Sequence, residues 1–265
     1  MAAYDLTGRT VLITGATDGL GRALAHEVLG AGATVLVHGR SEERIAATVD
    51  ELGGGDRVRA YRADLASLAE VHRLADELLE REAGGVDVLV NNAGIGARTG
   101  GVERRELSAD GHELRFAVNF LAGFALTERV RGPLAPARIV NVSSLGQQAI
   151  DFDDVMLEHG YSGVRAYCQS KLAQILYTFS LAEQGVVATA LHPATYMPTK
   201  MVPNPISTIA EGVEATFRLV ADPALEGVSG RFYDGLLEAE PDAQAADAQA
   251  RRRLWALAEE LTARR

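Results

Sequence analysis

Thr10-Val11-Leu12-Ile13-Thr14-Gly15-Ala16-Thr17-Asp18-Gly19-Leu20-Gly21 is an apolar run that breaks into three spaced glycines and then into an amphipathic stretch. Residues 10–13 read as a buried strand and residues 20–29 as a helix. Between them, Gly15 permits a tight turn and Gly19 lets backbone amides approach a ligand. Gly21 lets the helix pack closely on the strand. The start of such a helix offers unpaired N–H groups and the positive end of its dipole, which together seat a pyrophosphate. Thr17, Asp18 and Leu20 lie in the same turn and join Gly15 and Gly19 as candidate dinucleotide contacts. A purely structural turn is the competing reading; the position on the first strand of a β-α-β unit favours the nucleotide.

The alternation continues along the chain. Strands are predicted at 34–37, 58–61, 86–90, 138–142, 186–191 and 230–233, and helices at 42–52, 68–82, 109–130, 164–182, 209–219 and 245–261. The 86–90 run lacks polar alternation, as expected of a strand covered on both faces. Strand–helix alternation with short connections specifies a parallel sheet with right-handed crossovers. The fold class is therefore α/β: a single doubly wound Rossmann-type domain over residues 1–265, with seven mostly parallel strands and helices on both faces. Looser stretches lie at 97–106, 146–163, 196–207 and 238–247. All but the last follow the carboxyl end of a strand, where open α/β sheets bind ligands. Residues 146–163 read as a substrate-side insertion. Residues 196–207, with Pro198, Pro203 and Pro205, read as a lid, or else as an ordinary surface loop.

The 265 residues carry a net charge of −10 and are 47% hydrophobic, which fits a globular protein with a sizeable core. That sign argues against nucleic acid or an anionic membrane surface as partner. The single cysteine, Cys168, excludes an intrachain disulfide. No signal peptide or spanning segment is read, no metal site is expected, and the cytoplasm is the expected setting. Of the 26 basic residues only Lys171 and Lys200 are lysine, a coding bias suggesting a GC-rich bacterial genome.

Against that background Lys171 stands out, one helical turn after Tyr167 and on the same face. A phenol and an ammonium so placed can work as an acid and the charge that tunes it; a guanidinium is not a compact point charge. Tyr161 fails the same test, because Arg165 stands four residues on. The second strand ends in Arg40-Ser41, where a reader of the ribose 2′-hydroxyl needs an acid. Arg40 can pair with a 2′-phosphate and Ser41 can donate to it, which favours NADP(H) over NAD. Asp18 points the other way, since its carboxylate can repel that phosphate. Asp64-Leu65 follows the third strand; Asp64 can accept from an adenine amine or cap the helix that starts near Ser67. Asn91-Asn92-Ala93-Gly94 follows the fourth strand, where Asn side chains can tie loops together and Ala93 and Gly94 admit a flat ring.

Val142-Ser143-Ser144 then ends the fifth strand, ahead of Tyr167-x-x-x-Lys171. The glycine turn, the Asn-Asn-Ala-Gly run, Asn119 on its helix, Ser144 and the Tyr–Lys pair occur in the order of the short-chain dehydrogenase/reductase family. The chain resembles that family to about Pro193, and most of all its retinol-dehydrogenase-like branch, which also lengthens the segment between Ser and Tyr. The resemblance implies that Tyr167 is the general acid/base, with its pKa lowered by Lys171 and an oxidised nicotinamide. It implies that Lys171 holds the nicotinamide ribose and that Ser144, with Ser143 as rival, hydrogen-bonds the substrate oxygen. Asn119 would order a water that relays protons through Lys171. Pro193 and Tyr196 become nicotinamide-side contacts. The family's glycine after that proline is Ala194 here, and its threonine would be Thr199, one place late. The family pairs through its long helices, so a homodimer or homotetramer is expected, with Leu254 and Trp255 against a neighbouring subunit.

The reading that follows is an oxidoreductase interconverting a carbonyl and an alcohol with NADP(H), most simply a ketoreductase on a small lipophilic substrate. Phe152, Met156, Tyr161, Tyr196 and Met197 can line an apolar pocket or simply pack the insertion. Cys168 reads as a packed small residue pointing away from Tyr167. A nucleotide-binding regulator without turnover and an epimerase or dehydratase on the same scaffold are the competing functions.

Overall fold

The computed structural model describes residues 4–97, 104–198 and 204–263. Its strands are β1 (Thr10–Ile13), β2 (Thr34–Gly39), β3 (Val58–Arg62), β4 (Val88–Asn91), β5 (Arg138–Val142), β6 (Ala188–His192), β7 (Arg231–Asp234) and β8 (Leu237–Glu238). They form one sheet in the order β3-β2-β1-β4-β5-β6-β7-β8. Every pairing is parallel except β7 with β8. The eighth strand is an addition to the expected seven. It is two residues long, too short to leave a periodic signal, and follows the turn at Gly235, whose φ is +58°.

The helices are α1 (Gly19–Gly30), α2 (Glu42–Glu51), α3 (Leu68–Arg81), α4 (Leu114–Phe116), α5 (Ala122–Val130), α6 (Gly163–Glu183), α7 (Ile209–Ala221) and α8 (Ala248–Thr262). Strand residues alternate between two cores. Leu12 and Leu89 join α3, α5, α6 and α8 on one face, while Val11, Ile13, Val88 and Val90 join α1 and α7 on the other. Strand order reverses between β1 and β4, so the loops leaving their carboxyl ends diverge and open a crevice. Among the described residues no helix is long and apolar enough to cross a membrane.

Three sequence expectations are corrected here. The helix expected at 109–130 begins only at Leu114. Before it, the Ser108 hydroxyl accepts from the amides of Asp110 and His112, and Gly111 turns at φ +84°. Between α4 and α5 the chain widens into a π-helical stretch, Ala117–Leu121, that carries Asn119. The sixth strand starts at Ala188, because the amide of Val186 still bonds back to Leu181.

Leu254 and Trp255 do not face outward toward another subunit. Leu254 is 2% exposed, and the Trp255 ring lies edge-on to Phe124 (5.3 Å) and tilted on Tyr177 (5.7 Å). Helix α8 thus docks on this chain's own α5 and α6, through apolar area that would otherwise meet water. Every residue of α6 from Gln169 to Thr178 is buried within a single chain.

Candidate active site

The site is built around the turn between β1 and α1. The Thr14 hydroxyl donates to the Val90 carbonyl (3.2 Å) and accepts from the amides of Asn92 (2.9 Å) and Ala93 (3.0 Å). The Asn92 side chain donates to the carbonyls of Thr14 (2.7 Å) and Gly15 (3.3 Å). These bonds lock the glycine turn to the end of β4. The close approach leaves no room for side chains. A Cβ on Gly15 would sit 2.9 Å from Ala93 Cα, and one on Gly21 would collide with the Gly15 carbonyl and the Asn92 amide. Such a glycine-lined cradle at a helix start fits a dinucleotide pyrophosphate. Leu20 is buried at that helix start, and Gly94 leaves open the space over Asn119 Oδ1 and Lys171 Nζ, 3.3 and 3.4 Å from where its Cβ would be.

His38 supports the turn from β2. Its Nδ1 accepts the Gly15 amide (3.2 Å), which fixes the proton on Nε2, where it donates to the Ala63 carbonyl (3.2 Å). Burial holds its pKa down at about 4. Between about pH 6.5 and pH 4 the unfolded chain therefore takes up a proton that the folded one refuses, and stability falls as pH drops through that window. A steeper urea-midpoint loss from pH 7 to pH 4.5 in the wild type than in His38→Gln is expected. Parallel losses in the two proteins would remove His38 as the cause.

At the far end of the cradle, Arg40 is exposed at the end of β2 and makes no ion pair among the described residues. Ser41 caps α2, accepting from the Arg44 amide (3.4 Å). Thr17 packs against Gly39, where a Cβ would clash with it. The Asp18 carboxylate has two jobs. Oδ1 accepts from the Gly19 amide (2.9 Å), and Oδ2 pairs with Arg44 (2.7 Å), which also donates to the Thr17 carbonyl (3.0 Å). The carboxylate flagged by the sequence is thus neutralised locally, by an arginine the sequence reading passed over.

Asp64 neither caps α3 nor faces solvent alone. Ser67 is the cap, and Asp64 accepts from the Ala66 amide (3.0 Å), so it shapes the turn in front of Leu65, which is buried. The Asn91 side-chain amide donates to Thr127 (3.1 Å) and Asn141 (2.9 Å) inside the sheet–helix core, and its Oδ1 is buried without a partner among the described residues.

At the carboxyl ends of β5 and β6 the remaining residues converge. Ser144 is 8% exposed; its Oγ accepts from the Gly146 amide (2.9 Å) and hydrogen-bonds the Tyr167 phenol. The neighbouring Ser143 is spent elsewhere, donating to the Lys171 carbonyl (2.7 Å). That leaves Ser144, of the two rivals, on the phenol. Lys171 Nζ lies 5.8 Å from the Tyr167 ring centre and donates to the Val142 carbonyl (2.8 Å) and to Gln174 (3.0 Å). Burial raises the pKa of Tyr167 against the opposing Ser144 hydrogen bond, and burial lowers that of Lys171 to about 7.

Asn119 lies on the π-helical stretch and faces the loop that follows Gly94. Its side chain exchanges hydrogen bonds with the Ile95 amide (2.8 Å) and carbonyl (3.1 Å) and donates to Ser170 (2.8 Å). It ties the loop after Gly94 to α6. Ser170 donates in turn to the Tyr167 carbonyl (2.7 Å). Cys168 is half-buried and a neutral thiol, its pKa raised by burial. It does not point away from Tyr167: Cys168 Sγ, a Tyr167 ring carbon and Ser144 Oγ all lie within 3.6 Å of where a Gly146 Cβ would be.

Tyr161 hydrogen-bonds Glu113 (3.1 Å) and stands apart from the phenol pair. Phe152 and Met156 are partly buried against the main core and Met197 against α7 near Leu20. Pro193 follows β6, where His192 Nε2 lies 3.0 Å from the Thr195 hydroxyl. Tyr196 is 61% exposed at φ +48° and close enough to Tyr167 to act on its titration. Thr199, Lys200 and Pro203 lie outside the described residues. Asn92 ties two loops together, as its Asn-Asn-Ala-Gly run suggested. The roles of Thr14, His38, Ser170 and Gln174 were missed by sequence reasoning, and of these only Thr14, beside the glycine turn, left a positional signal.

Comparison with known proteins places this geometry. The profile described as short chain dehydrogenase matches residues 9–206. Retinol dehydrogenase 13 of Mus musculus is 35% identical, over 94% of this chain and 82% of its own length. A protein of Streptomyces sp. (strain C5), provisionally named as the daunorubicin C-13 ketoreductase DnrU, is also 35% identical, over 94% of this chain and 91% of its own. Among solved structures, a blue fluorescent protein from a metagenomic library in complex with NADPH superposes with a TM-score of 0.69 at 26% identity, covering 88% of this chain and 99% of that one.

Proposed function

The chain belongs to the short chain dehydrogenase family, in its retinol-dehydrogenase-like branch, and on that premise we propose that it is an NADP(H)-dependent ketoreductase acting on a lipophilic carbonyl compound. The observation that carries the reading is the convergence of Ser144, Tyr167 and Lys171 beside the glycine cradle. The nicotinamide supplies or takes the hydride. Gly15, Gly19 and the start of α1 hold its pyrophosphate, and Lys171 is placed to reach its ribose. Ser144 aims its proton at the substrate oxygen and stabilises the charge that gathers there. Tyr167 gives that oxygen a proton, or takes one in the reverse direction. Burial works against ionisation of the Tyr167 phenol, and a bound oxidised nicotinamide would favour it.

The lipophilic substrate is supported by three exposed apolar side chains around the site: Leu145 (47%), Tyr196 (61%) and Ile206 (73%). Leu145 follows Ser144 directly, and the Ile206 amide bonds the Tyr196 carbonyl (3.0 Å). Relatives named as a retinol dehydrogenase and as a daunorubicin C-13 ketoreductase agree with that class. A regulator without turnover is disfavoured by the intact Tyr–Lys pair. A cytoplasmic, bacterial setting belongs to the same reading. Assembly into a homodimer or homotetramer would use faces other than α5 and α6, which α8 covers.

NADP(H) preference is supported by Arg40, by the Ser41-capped start of α2, and by the Arg44–Asp18 pair that neutralises the Asp18 carboxylate. Arg40→Ala is expected to weaken NADPH binding by about ten- to a hundredfold, the value of one charge-assisted contact, and to leave NADH nearly unchanged. Arg44→Ala, which removes the cation from Asp18 Oδ2, is expected to act in the same direction. Titrations with both nucleotides check this; equal losses for NADH and NADPH would overturn the preference. A carbonyl screen followed by NADPH absorbance tests the reaction, and a wild type that consumes no NADPH with any ketone or aldehyde would refute it.

A further inference from the structure

Two glutamines join the loop that leaves Ser144 to the C-terminal part of the chain. Gln147 Nε2 donates to the Ser144 carbonyl (3.0 Å), while its Oε1 accepts from the Asp242 amide (2.7 Å). Gln244 answers from the other side. Its Oε1 accepts from the Ile150 amide (2.6 Å) and its Nε2 donates to the Ile150 carbonyl (3.1 Å). Two side-chain amides thus do what a strand ladder does, across about 95 residues of sequence. Each amide uses both its donor and its acceptor, so neither can be replaced by a group that only donates or only accepts.

The anchor behind this clamp is firm. Asp242 accepts from the Gln244 amide (2.9 Å), and Ala245 is fully buried. Arg251 donates to the Ala245 carbonyl (2.6 Å) and pairs with Glu183 of α6 (2.5 Å). Helix α8 is then fixed by Leu254, Ala258 and Trp255. It also reaches the insertion directly, with Arg253 over the Phe152 ring (4.7 Å). The cradle for the nucleotide is built from other parts of the chain, β1, α1 and the end of β4.

We propose that Gln147 and Gln244 are positioning residues for the reaction assigned above, through which residues 242–262 set the substrate side of the active site. The proposal rests on Ser144 being the residue that holds the substrate oxygen. Gln147 fixes the Ser144 peptide and hence the direction of its hydroxyl. Gln244 holds the wall from Leu145 to Ile150, which the substrate's apolar body touches. An ångström of drift in such a group is enough to slow chemistry markedly.

Gln147→Met, Gln147→Glu and Gln244→Met test this in the full-length protein, using the best ketone from the screen. Gln147→Met is expected to lower kcat about tenfold or more, as the hydroxyl loses its aim. Gln147→Glu keeps the acceptor for Asp242 but loses the donor to Ser144, so it is expected to lower kcat as well. Gln244→Met is expected to raise KM by roughly fivefold or more with a smaller change in kcat, as the wall loosens. Amide exchange at Ile150 should speed up in Gln244→Met without any substrate present. NADPH affinity and the emission of Trp255, the chain's single tryptophan on α8, should stay as in the wild type. Unchanged kcat and KM in all three variants, in an active wild type, would overturn the proposal. So would losses that come with weakened NADPH binding or a shifted Trp255 emission, which mark general unfolding. An inactive wild type instead refutes the assigned reaction, and the Ile150 exchange rates tell the two failures apart.

Discussion

Tyr167→Phe is expected to lower kcat by about 10²–10⁴-fold while NADPH binding stays near wild type, because only the proton donor is removed. The phenol is half-buried, hydrogen-bonded by Ser144 and set beside Lys171, so no neighbouring hydroxyl can take its place without moving. Tyr161 cannot substitute, as its hydroxyl is committed to Glu113. Phenylalanine keeps the ring and its packing, so the loss should fall on kcat and not on stability. Steady-state turnover of the screened ketone, with NADPH titration alongside, decides the matter. A variant retaining more than about a tenth of wild-type kcat would mean that another group delivers the proton.

The largest expected loss of stability lies at Arg115, which is fully buried. Its guanidinium stands 3.4 Å from Glu113 and 3.8 Å from Glu106, and it donates to the Gly96 carbonyl (3.3 Å). Glu113 is itself 1% exposed and accepts from the Phe116 amide (2.8 Å) and the Tyr161 hydroxyl (3.1 Å). Arg115→Met would leave the buried Glu113 carboxylate without its cation. Breaking one side of a buried ion pair costs about 3–5 kcal/mol. At about 2–4 °C per kcal/mol for a chain near this size, the melting temperature should drop by roughly 10 °C. Replacing Glu113 by Gln as well should recover part of the loss, since one buried charge is then gone. A shift of less than about 1 kcal/mol in urea titrations would show that the guanidinium is compensated by other means.

Arg115 also shows where sequence reading stops. Glu113 and Arg115 are two apart, a spacing that on a regular helix puts them on different faces. A helix drawn from 109 to 130 hides their meeting. The turn at Ser108 and Gly111 and the π-helical stretch around Asn119 rearrange that segment. The network they allow joins the loop at Gly96 to the insertion at Tyr161. The same holds for Asn119, which was legible as a site residue by its place in a motif. Its partners, Ile95 and Ser170, were not legible.

Local periodicity and motif order determined a great deal on their own. The β1 turn, the strand–helix alternation, the parallel sheet and the Tyr167–Lys171 pair could all be read off the chain, because each depends on neighbours within a few residues. Helical and strand periods repeat over short windows, and a glycine turn needs no distant partner to be recognised. Tertiary structure alone decided the rest. It turned the Asn91 side chain into the core, cancelled Asp18 with Arg44, spent Ser143 on the Lys171 carbonyl and laid Trp255 on α5 and α6. It also joined Gln147 to Asp242 and Gln244 to Ile150. Those contacts span tens of residues or more, and their residue types carry no period. Only the closing of the chain around its two cores brings such groups within hydrogen-bonding reach.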